Sequence, residues 1–552
     1  MSRLAIAMDI GTSGLRAQAL DLSSRDIIST VITTRHPLPG ANVIDHIHFA
    51  LEIGLETANR IIIQAVNRII LELHINTEKV VRLAVCGNPI QLSLFQGIEI
   101  RDLAFAGKRK LESLGVVSPE REAVITATRN IPGLNLPAGC DVIIPPSVCH
   151  EIGADSLAMI IQTGMLEKDE TSLATDYGTN AEMALLHQGR VFTGSTAAGP
   201  ALEGQQISCG MLAVPGAVSD LNSDISCQRL IVLDSEMIPA EGPLVDMSDG
   251  SVIDAGSGVR PIGITGTGTL AIVLQAMESG LILLPCIRTM DSRLHLTGDI
   301  FFTEDDLMNA GKAIGSVRAG HITLCREAGI GLDDIRTAYM SGASGTYVDP
   351  VKAQKLGMVP PRVKTVFQVG NTSLSMARDL VFDLSKLDLM SSLADKLREH
   401  HCLFAASDTF KKVFILELSY WTEGMPISMY RKFLKKYGFP DLPPPGATPE
   451  IVHTVKRDID DLGRMGLTII PDIGGKVRAT MEGCTACMNC VEECPENAIT
   501  IIQEADSAAV TLDQSLCSGV ACRRCERVCP HKCFDLSRFF CITSEELATP
   551  WE

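Results

Sequence analysis

The sequence has 552 residues, a formal net charge of -18 and 46% hydrophobic residues. This length and apolar fraction suffice for three or four domains, and the negative charge argues against nucleic acid as a partner because phosphate backbones would repel it. The most apolar region, Leu270–Cys286, is interrupted by Gln275, Glu278 and Gly280, so no apolar run of about eighteen residues predicts a membrane span.

The first predicted elements are three short strands joined by two tight turns. Leu4–Met8 is apolar and leads into Asp9-Ile10-Gly11-Thr12-Ser13-Gly14, Leu15–Leu22 alternates, and Ile27–Ile32 is apolar again. Gly11, Thr12 and Ser13 after a buried strand present backbone N–H groups and hydroxyls to an anion, and Asp9 can hold hydrated Mg²⁺. The same residues also fit an ordinary hairpin turn capped by Asp9.

The arrangement recurs 167 positions later (176 minus 9). Ser172–Thr175 leads into Asp176-Tyr177-Gly178-Thr179-Asn180, and strands are predicted at Ala181–Leu186 and Val191–Thr193. Two similar strand-turn-strand units imply two similar domains. We predict that Thr12, Ser13, Thr179 and Asn180 contact a polyphosphate at the turns made by Gly11 and Gly178. Asp9 and Asp176 are the predicted catalytic residues, which hold Mg²⁺ and orient the attacking water.

Further glycine-rich turns follow in a fixed order along the chain. Gly263–Leu270 contains Gly266 and Gly268, Met340–Tyr347 contains Gly342 and Gly345, and Gly87-Asn88 and Gly370-Asn371 precede predicted helices. Together with the two aspartate turns, this order resembles the superfamily of actin, Hsp70 chaperones and sugar kinases. The resemblance implies an α/β fold of duplicated ribonuclease H-like halves that close over ATP. It places Gly266, Gly268, Gly342 and Gly345 at the nucleotide, with Gly342 and Gly345 in the adenosine motif.

The stretch from about residue 441 to 475 is predicted to be a connector. It starts with the stiff run Pro443-Pro444-Pro445-Gly446, and Thr448–Leu462 is predicted to be a helix capped by Thr448.

Two cysteine runs near the end of the chain have the spacing that holds two [4Fe-4S] clusters. They are Cys484-x2-Cys487-x2-Cys490-x3-Cys494-Pro495 and Cys517-x4-Cys522-x2-Cys525-x3-Cys529-Pro530. Three close thiolates wrap one cube, and the fourth, before proline, turns away to the other cube. The predicted ligand sets are therefore Cys484, Cys487, Cys490 and Cys529 for one cluster, and Cys517, Cys522, Cys525 and Cys494 for the other. Structural zinc is the alternative, although zinc sites usually consist of two C-x2-C pairs.

This segment resembles a bacterial-type two-cluster ferredoxin, which implies a small α+β domain. Its second run has two extra residues between Cys517 and Cys522, which predicts a changed loop and potential at the second cluster. Cys533 and Cys541 follow the completed set and are predicted to be ordinary thiols. The other cysteines are scattered singly and no secretory signal is recognisable, so we predict a cytoplasmic protein.

The region from about residue 1 to 440 resembles the ATP-binding body of reductive activases of corrinoid proteins. The segments that carry this resemblance, besides the two aspartate turns, are Pro39–Ile44, Gly87-Asn88-Pro89, Gly153–Ser156, Ser344–Pro350 and Leu356–Pro360. Members with a C-terminal two-cluster ferredoxin come from methylamine-using methanogens and related anaerobes. The resemblance implies ATP-dependent reduction of inactive Co(II) corrinoid to Co(I). Since the chain lacks a corrinoid-binding D-x-H-x-x-G sequence, the cobalt is expected on a partner methyl-carrier protein, with an unknown low-potential electron donor.

Three other functions fit parts of the pattern. They are a sugar-kinase-like phosphotransferase with sensory clusters, an activator of the 2-hydroxyacyl-CoA dehydratase type, and a non-catalytic Hsp70-like clamp with a ferredoxin appendage. The eight-cysteine tail argues against the second, because that type shares one cluster between two subunits. We predict four segments: a first ATPase-like half at 1–160, a second at 161–440, the connector at 441–475 and the ferredoxin domain at 476–552.

Overall fold

The computed structural model describes residues 3–105, 107–224, 227–256, 258–471, 473–503, 507–514 and 516–540. The chain forms two compact units, one made of Met1–Ile144 with Leu462–Glu552 and the other of Pro145–Asp461. The cysteine runs therefore belong to the same unit as the first predicted half. Within the described residues, no helix has the length and apolar character needed to cross a bilayer.

The first unit begins with a mixed sheet and helices that cover it. Its N-terminal strands are β1 (Leu4–Ile10), β2 (Leu15–Asp21), β3 (Ile27–Thr33), β4 (Val80–Gly87), β5 (Val124–Ala127) and β6 (Asp141–Ile144). Its helices there are α1 (Val43–Glu52), α2 (Leu55–Glu72), α3 (Pro89–Gln96), α4 (Arg101–Ala104) and α5 (Lys108–Ser113). The strands β1, β2 and β3 are antiparallel neighbours, as the alternating and apolar runs predicted, and β4 lies parallel to β1.

The second unit contains most of the helices. Its strands are β7 (Ser172–Asp176), β8 (Asn180–His187), β9 (Arg190–Ala197), β10 (Ala217–Asp224), β11 (Cys227–Leu233), β12 (Pro239–Val245), β13 (Val252–Asp254), β14 (Gly263–Ile264), β15 (Ile282–Leu283), β16 (Cys286–Ile287), β17 (Arg293–Thr297), β18 (Ile300–Thr303), β19 (Thr337–Ser341), β20 (Thr365–Gln368) and β21 (Glu450–His453). Its helices are α6 (Ala154–Gln162), α7 (Gly266–Glu278), α8 (Glu304–Ala328), α9 (Gly342–Tyr347), α10 (Pro350–Lys355), α11 (Thr372–Phe382), α12 (Ser385–Leu397), α13 (Asp408–Glu423) and α14 (Ile427–Tyr437).

The chain then returns to the first unit. This part contains β22 (Leu467–Ile470), β23 (Lys476–Glu482), α15 (Asn489–Glu492), β24 (Ile499–Gln503), β25 (Ser507–Asp513) and α16 (Arg524–Val528). The strands β23, β25 and β24 form a three-stranded antiparallel sheet in that order.

The two large sheets have the same plan. The order in the first unit is β22-β3-β2-β1-β4-β6-β5 and in the second β21-β20-β19-β7-β8-β9. Each contains an antiparallel triplet whose first strand pairs in parallel with a later strand, β4 in one sheet and β19 in the other. This duplication confirms the predicted α/β fold of two ribonuclease H-like halves with a small α+β domain.

The helix α8 runs through the core of the second unit. Thr303 Oγ1 accepts from the backbone N–H of Asp306, and Asp306 Oδ2 accepts from the N–H of Thr303 at 2.8 Å, so both ends of this capping box are satisfied. Further along, Arg318 and Glu417 form a buried ion pair, Nε to Oε1 3.0 Å. The buried pair fixes how α8 and α13 pack together.

The predicted helix at Thr448–Leu462 is wrong. Glu450–His453 instead forms β21, which lies parallel to β20, and Leu467–Ile470 forms β22, parallel to β3. The connector thus supplies an edge strand to each of the two large sheets.

Candidate functional site

The first aspartate turn lies between β1 and β2. Asp9 is only 5% exposed and pairs with Arg16 on the facing strand, Oδ2 to Nη1 3.6 Å. Gly11, Thr12 and Ser13 make the turn, and the Thr12 hydroxyl accepts a hydrogen bond from Asn88 Nδ2 at 3.0 Å. The turn and the start of α3 therefore lie together, since Asn88 also caps that helix through the N–H groups of its first turn.

The second aspartate turn lies between β7 and β8. Gly178 and Thr179 form the turn, Asn180 starts β8, and Thr179 Oγ1 donates a hydrogen bond to a carboxylate oxygen of Glu203. Asp176 stands opposite Ser341 in the parallel pairing of β7 with β19. This register brings Asp176 to the start of α9.

The predicted adenosine motif packs directly on Asp176. Gly342 has φ +79°, and a Cβ added there would lie 2.3 Å from Asp176 Oδ1. Only glycine suits that position, because it needs both the left-handed conformation and the close approach. Gly345 follows within α9, where it is buried.

The other predicted nucleotide glycines begin α7. Gly266 and Gly268 are buried in its first turn, and the Thr265 hydroxyl accepts from the Gly268 N–H at 3.0 Å. Gly266 packs against the backbone of Leu202, whose carbonyl accepts a hydrogen bond from Ser344 Oγ at 2.6 Å. Within the second unit, these contacts bring the α7 turn close to the α9 turn.

Three acidic residues near the second turn were missed by the sequence reasoning. Burial, and then the nearby charges of Asp155 and Asp176, raise the pKa of Glu182 well above its usual value. Glu203 is the carboxylate bonded to Thr179. Of these three residues only Glu182 is buried, and the nearby Asp155 and Asp176 make its charged form less favourable. Glu182 carried a sequence signal, since it is the one acidic residue in the otherwise apolar run Ala181–Leu186.

The cysteines of the first predicted set line one small cavity. Cys484, Cys487, Cys490 and Cys529 all contribute to its wall, together with Met481, Ile501 and Phe534. Three of these thiols come from the first run and one, Cys529, comes from the second. Burial, and then the other three thiols, raise the pKa of Cys490 to about 11.

The second predicted set is likewise drawn together. Burial raises the pKa of both Cys517 and Cys525 to about 12, with added repulsion from Cys494 and Cys522 on the first and from Cys517 and Cys522 on the second. The N–H of Gly519 donates to Cys517 Sγ at 3.2 Å and that of Ala498 to Cys494 Sγ at 3.3 Å. N–H···S bonds of this kind stabilise thiolates that bind iron.

Both sets consist of thiols alone, which fits [4Fe-4S] clusters. Among the described residues, no group of three or more cysteine, histidine or acidic side chains is arranged to hold a single metal ion. The thiols of the first set instead surround a cavity.

The two extra residues of the second run have a structural role. Gly519–Ala521 forms a single 3₁₀ turn that packs on α1, and a Cβ on Gly519 (φ +58°) would lie 2.6 Å from Pro39 Cβ. We use the name docking contact for this packing of the turn on α1 together with two neighbouring contacts, that of Phe540 with Phe49 and that of Arg523 with Glu52. Phe540 meets Phe49 of α1 edge to face with 4.9 Å between ring centroids, and Arg523 forms an ion pair with Glu52. The loop beside the second thiol set is thereby fixed to the first ATPase-like half.

Comparison with protein families covers nearly the whole chain. Residues 4–168 match the family model described as the RACo middle region, residues 170–431 that of the C-terminal, ASKHA domain of RACo, and residues 483–533 that of a 4Fe-4S dicluster domain. A [Co(II) methylated amine-specific corrinoid protein] reductase of Methanosarcina barkeri is 46% identical over 517 residues, which are 94% of this chain and 95% of that protein. The chain belongs to the family of corrinoid protein reductases.

Two further corrinoid activators are similar. The corrinoid activation enzyme RamQ of Eubacterium limosum is 24% identical over 382 residues, 64% of this chain and 60% of that protein. The solved structure of a reductive activator for a corrinoid, iron–sulfur protein shares the fold with a TM-score of 0.63 at 22% identity, covering 76% of this chain and 66% of that one. Membership in the corrinoid protein reductases confirms the resemblance read from the sequence, with an ATPase body of the ASKHA type and an iron–sulfur domain. It sets aside the sugar-kinase, dehydratase-activator and simple clamp alternatives.

Proposed function

We propose that this protein uses ATP to reduce the inactive Co(II) corrinoid of a partner methyl-carrier protein to Co(I), with electrons that pass through two [4Fe-4S] clusters. The proposal is carried by one observation: a single chain of this family contains two similar aspartate turns and two sets of four thiols that each draw on both cysteine runs. An ATPase alone would not need the thiols, and a ferredoxin alone would not need the turns.

The energetics explain why both are needed. For a one-electron transfer, each 59 mV of unfavourable potential costs about 1.4 kcal/mol, so a gap of roughly 300 mV costs about 7 kcal/mol. An electron donor weaker than the Co(II)/Co(I) couple therefore reduces the cobalt only if a second, favourable reaction is coupled to the transfer. We propose that binding and hydrolysis of ATP provide that coupling through a change of conformation.

The residues divide into two sets of roles. Thr12, Ser13, Thr179 and Asn180 would contact the phosphates, and Asp9 and Asp176 would hold Mg²⁺ and orient the attacking water. When bound by the two sets of thiols, the clusters supply one-electron transfer. A divalent cation held by Asp176 would relieve the repulsion from Asp155 and Asp176 that contributes to the raised pKa of Glu182.

The relative from Methanosarcina barkeri acts on a methylated amine-specific corrinoid protein, and we propose a partner of the same class for this chain. The electron donor would be a low-potential reductant. We place the protein in the cytoplasm. The described cysteines are all free thiols, which supports a reducing compartment.

Reconstitution tests the proposal. The iron-loaded protein is mixed without oxygen with a Co(II) methylamine-type corrinoid protein, a strong reductant and Mg-ATP, and the cobalt spectrum is followed. We expect Co(I) to form only when both the protein and ATP are present. Formation of Co(I) at the same rate without ATP, or none at all, would overturn the proposal.

Aspartate variants test the ATP site separately from the clusters. Asp9→Asn and Asp176→Asn should each abolish the ATP dependence and leave the iron content unchanged. Asp388→Asn is a suitable control because Asp388 is exposed on α12. If either site variant behaves like this control, the assigned role of its aspartate is wrong.

A further inference from the structure

A fifth cysteine lines the cavity of the first thiol set. Cys533 Sγ lies 3.5 Å from Cys529 Sγ, and Cys533 also interacts with Cys484. The side chain is half-buried. The eight-cysteine pattern gave it no role, since the set of ligands is complete without it.

The corresponding position in the other run is not a cysteine. Cys533 follows Cys529 by four residues, and Ala498 follows Cys494 by the same interval. Ala498 uses its backbone N–H to donate to Cys494 Sγ at 3.3 Å. The two thiol sets are therefore alike in their crossed ligands but differ in what stands beside the ligand that precedes proline.

We propose that Cys533 is a second thiol for the first cluster, with two consequences. While Cys529 is bound to iron, the Cys533 thiol donates an S–H···S hydrogen bond to it. When the Cys529 sulfur is lost, Cys533 binds the iron in its place. The inference rests on the proposed function only in that it takes the first set to hold a [4Fe-4S] cluster.

Both consequences follow from the geometry. Two sulfurs 3.5 Å apart are within S–H···S distance, and a donor to a ligand sulfur draws electron density from the cluster and raises its potential. Because both sulfurs line one cavity, a small rotation of the side chain suffices to replace one with the other. The exchange breaks one Fe–S bond and forms another. Cys533 releases its proton and the departing Cys529 sulfur takes one up, so no oxidant or reductant is needed.

Iron content is the first test, measured on the full-length protein after anaerobic reconstitution. The wild type should hold about eight iron ions, as two [4Fe-4S] clusters require. Cys529→Ala should keep about eight, because Cys533 replaces the lost ligand, and the double variant Cys529→Ala/Cys533→Ala should keep about four. Cys494→Ala is the matched control and should by itself fall to about four, since Ala498 offers no thiol.

The potential of the first cluster is the second test, followed by electron paramagnetic resonance during a redox titration. Cys533→Ala should keep its full iron content, which shows that the domain folds, and its first cluster should have a lower midpoint potential. Cys533→Ser keeps a hydroxyl donor and should restore part of the shift.

The proposal is overturned if Cys529→Ala loses as much iron as the double variant, or if Cys533→Ala leaves the potential unchanged. A wild type that holds only about four iron ions would instead contradict the two-cluster function, which separates the two failures.

Discussion

Gly342→Ala tests how far ATP use depends on the position of Asp176. A Cβ at this residue would lie 2.3 Å from Asp176 Oδ1, where ordinary van der Waals contact begins at 3.4 Å. The carboxylate must therefore move by about 1 Å, the difference between these two distances. It cannot stay in place while the alanine turns aside, because the Cβ direction is fixed by the backbone of the turn.

A displacement of about 1 Å in a positioned catalytic group can cost about a hundredfold in rate, or about 2.7 kcal/mol in the activation barrier. The alanine also has to adopt φ +79°, which costs about 1 kcal/mol of folding stability. The rate effect comes from the contact with Asp176, and the stability effect comes mainly from the backbone conformation, so a second glycine can separate them.

Gly189 is that control. It lies in the turn between β8 and β9 with φ +73°, and a Cβ there would meet no atom within 4 Å. Gly189→Ala should lower the melting temperature like Gly342→Ala but leave the ATP-dependent rate of Co(I) formation unchanged. Gly342→Ala should lower that rate by about a hundredfold with full iron content. Equal rates for the two variants would refute the argument that Gly342 positions Asp176.

Three further changes test other parts of the structure. Burial raises the pKa of Glu151 from 4.5 to about 7, so the folded state holds a proton that the unfolded chain releases. Stability should fall between those pH values by at most about 3 kcal/mol, and Glu151→Gln should flatten that part of a calorimetric pH series. Glu417→Leu leaves Arg318 buried without its counter-charge, so the free energy of unfolding measured with urea should fall by about 3–5 kcal/mol. A loss below about 1 kcal/mol, which is typical of an exposed ion pair, would contradict the buried geometry. The valine side chain in Gly519→Val should clash with Pro39. Hydrogen exchange in α1 should therefore become faster while the iron content stays at the wild-type value. Unchanged exchange would mean that the docking contact does not hold the loop.

Much of the fold could be predicted because its signals are local. The strand-turn-strand units around Asp9 and Asp176 were recognisable from short apolar runs that end in glycine-rich turns, and the structure has strands at each. The thiol sets could be predicted for a similar reason, since the three cysteines that bind one cluster lie within a short stretch of sequence.

The connector shows where local signals fail. Thr448 resembles a helix cap, but the residues after it pair with β20 to form β21. Ile451 and Val452 are β-branched and suit a strand, and the open edge of β20 supplies the backbone partners. That edge is formed by residues more than eighty positions earlier, so no window of sequence around Thr448 could reveal it.

The site residues that the sequence reasoning missed also depend on contacts that form only in the folded chain. Glu182 and Asp155 lie on different elements and act on each other only after folding. Cys533 was set aside because the count of ligands was complete, whereas its closeness to Cys529 depends on the turn of chain between them. Spacing predicts which residues can bind a cluster, but it does not predict which others will stand next to it.

Among the described residues, two sets of contacts join the first ATPase-like half to the segment that leads into and contains the cysteine runs. One is the docking contact at α1. The other is a buried chain of hydrogen bonds: Gln18 Nε2 of β2 donates to Thr30 Oγ1 of β3 at 3.0 Å, and Thr30 Oγ1 donates to the Leu462 carbonyl at 2.9 Å. From there the connector continues as β22 along β3.

These two sets of contacts affect how ATP could control electron transfer. Asp9 lies on β1, next to β2, so the first aspartate turn and the part of the connector that forms β22 belong to one continuous sheet. Interior packing makes such a sheet stiff, and a nucleotide-dependent movement of it would carry the second thiol set along rather than leave it behind. The ferredoxin is then a fixed part of the first unit, and the turn that contains the two added residues after Cys517 contributes to the docking contact between its cluster loop and α1. Removing the two added residues should free that loop without removing a ligand. Such a variant would therefore still bind the cluster but would no longer hold it in place against α1.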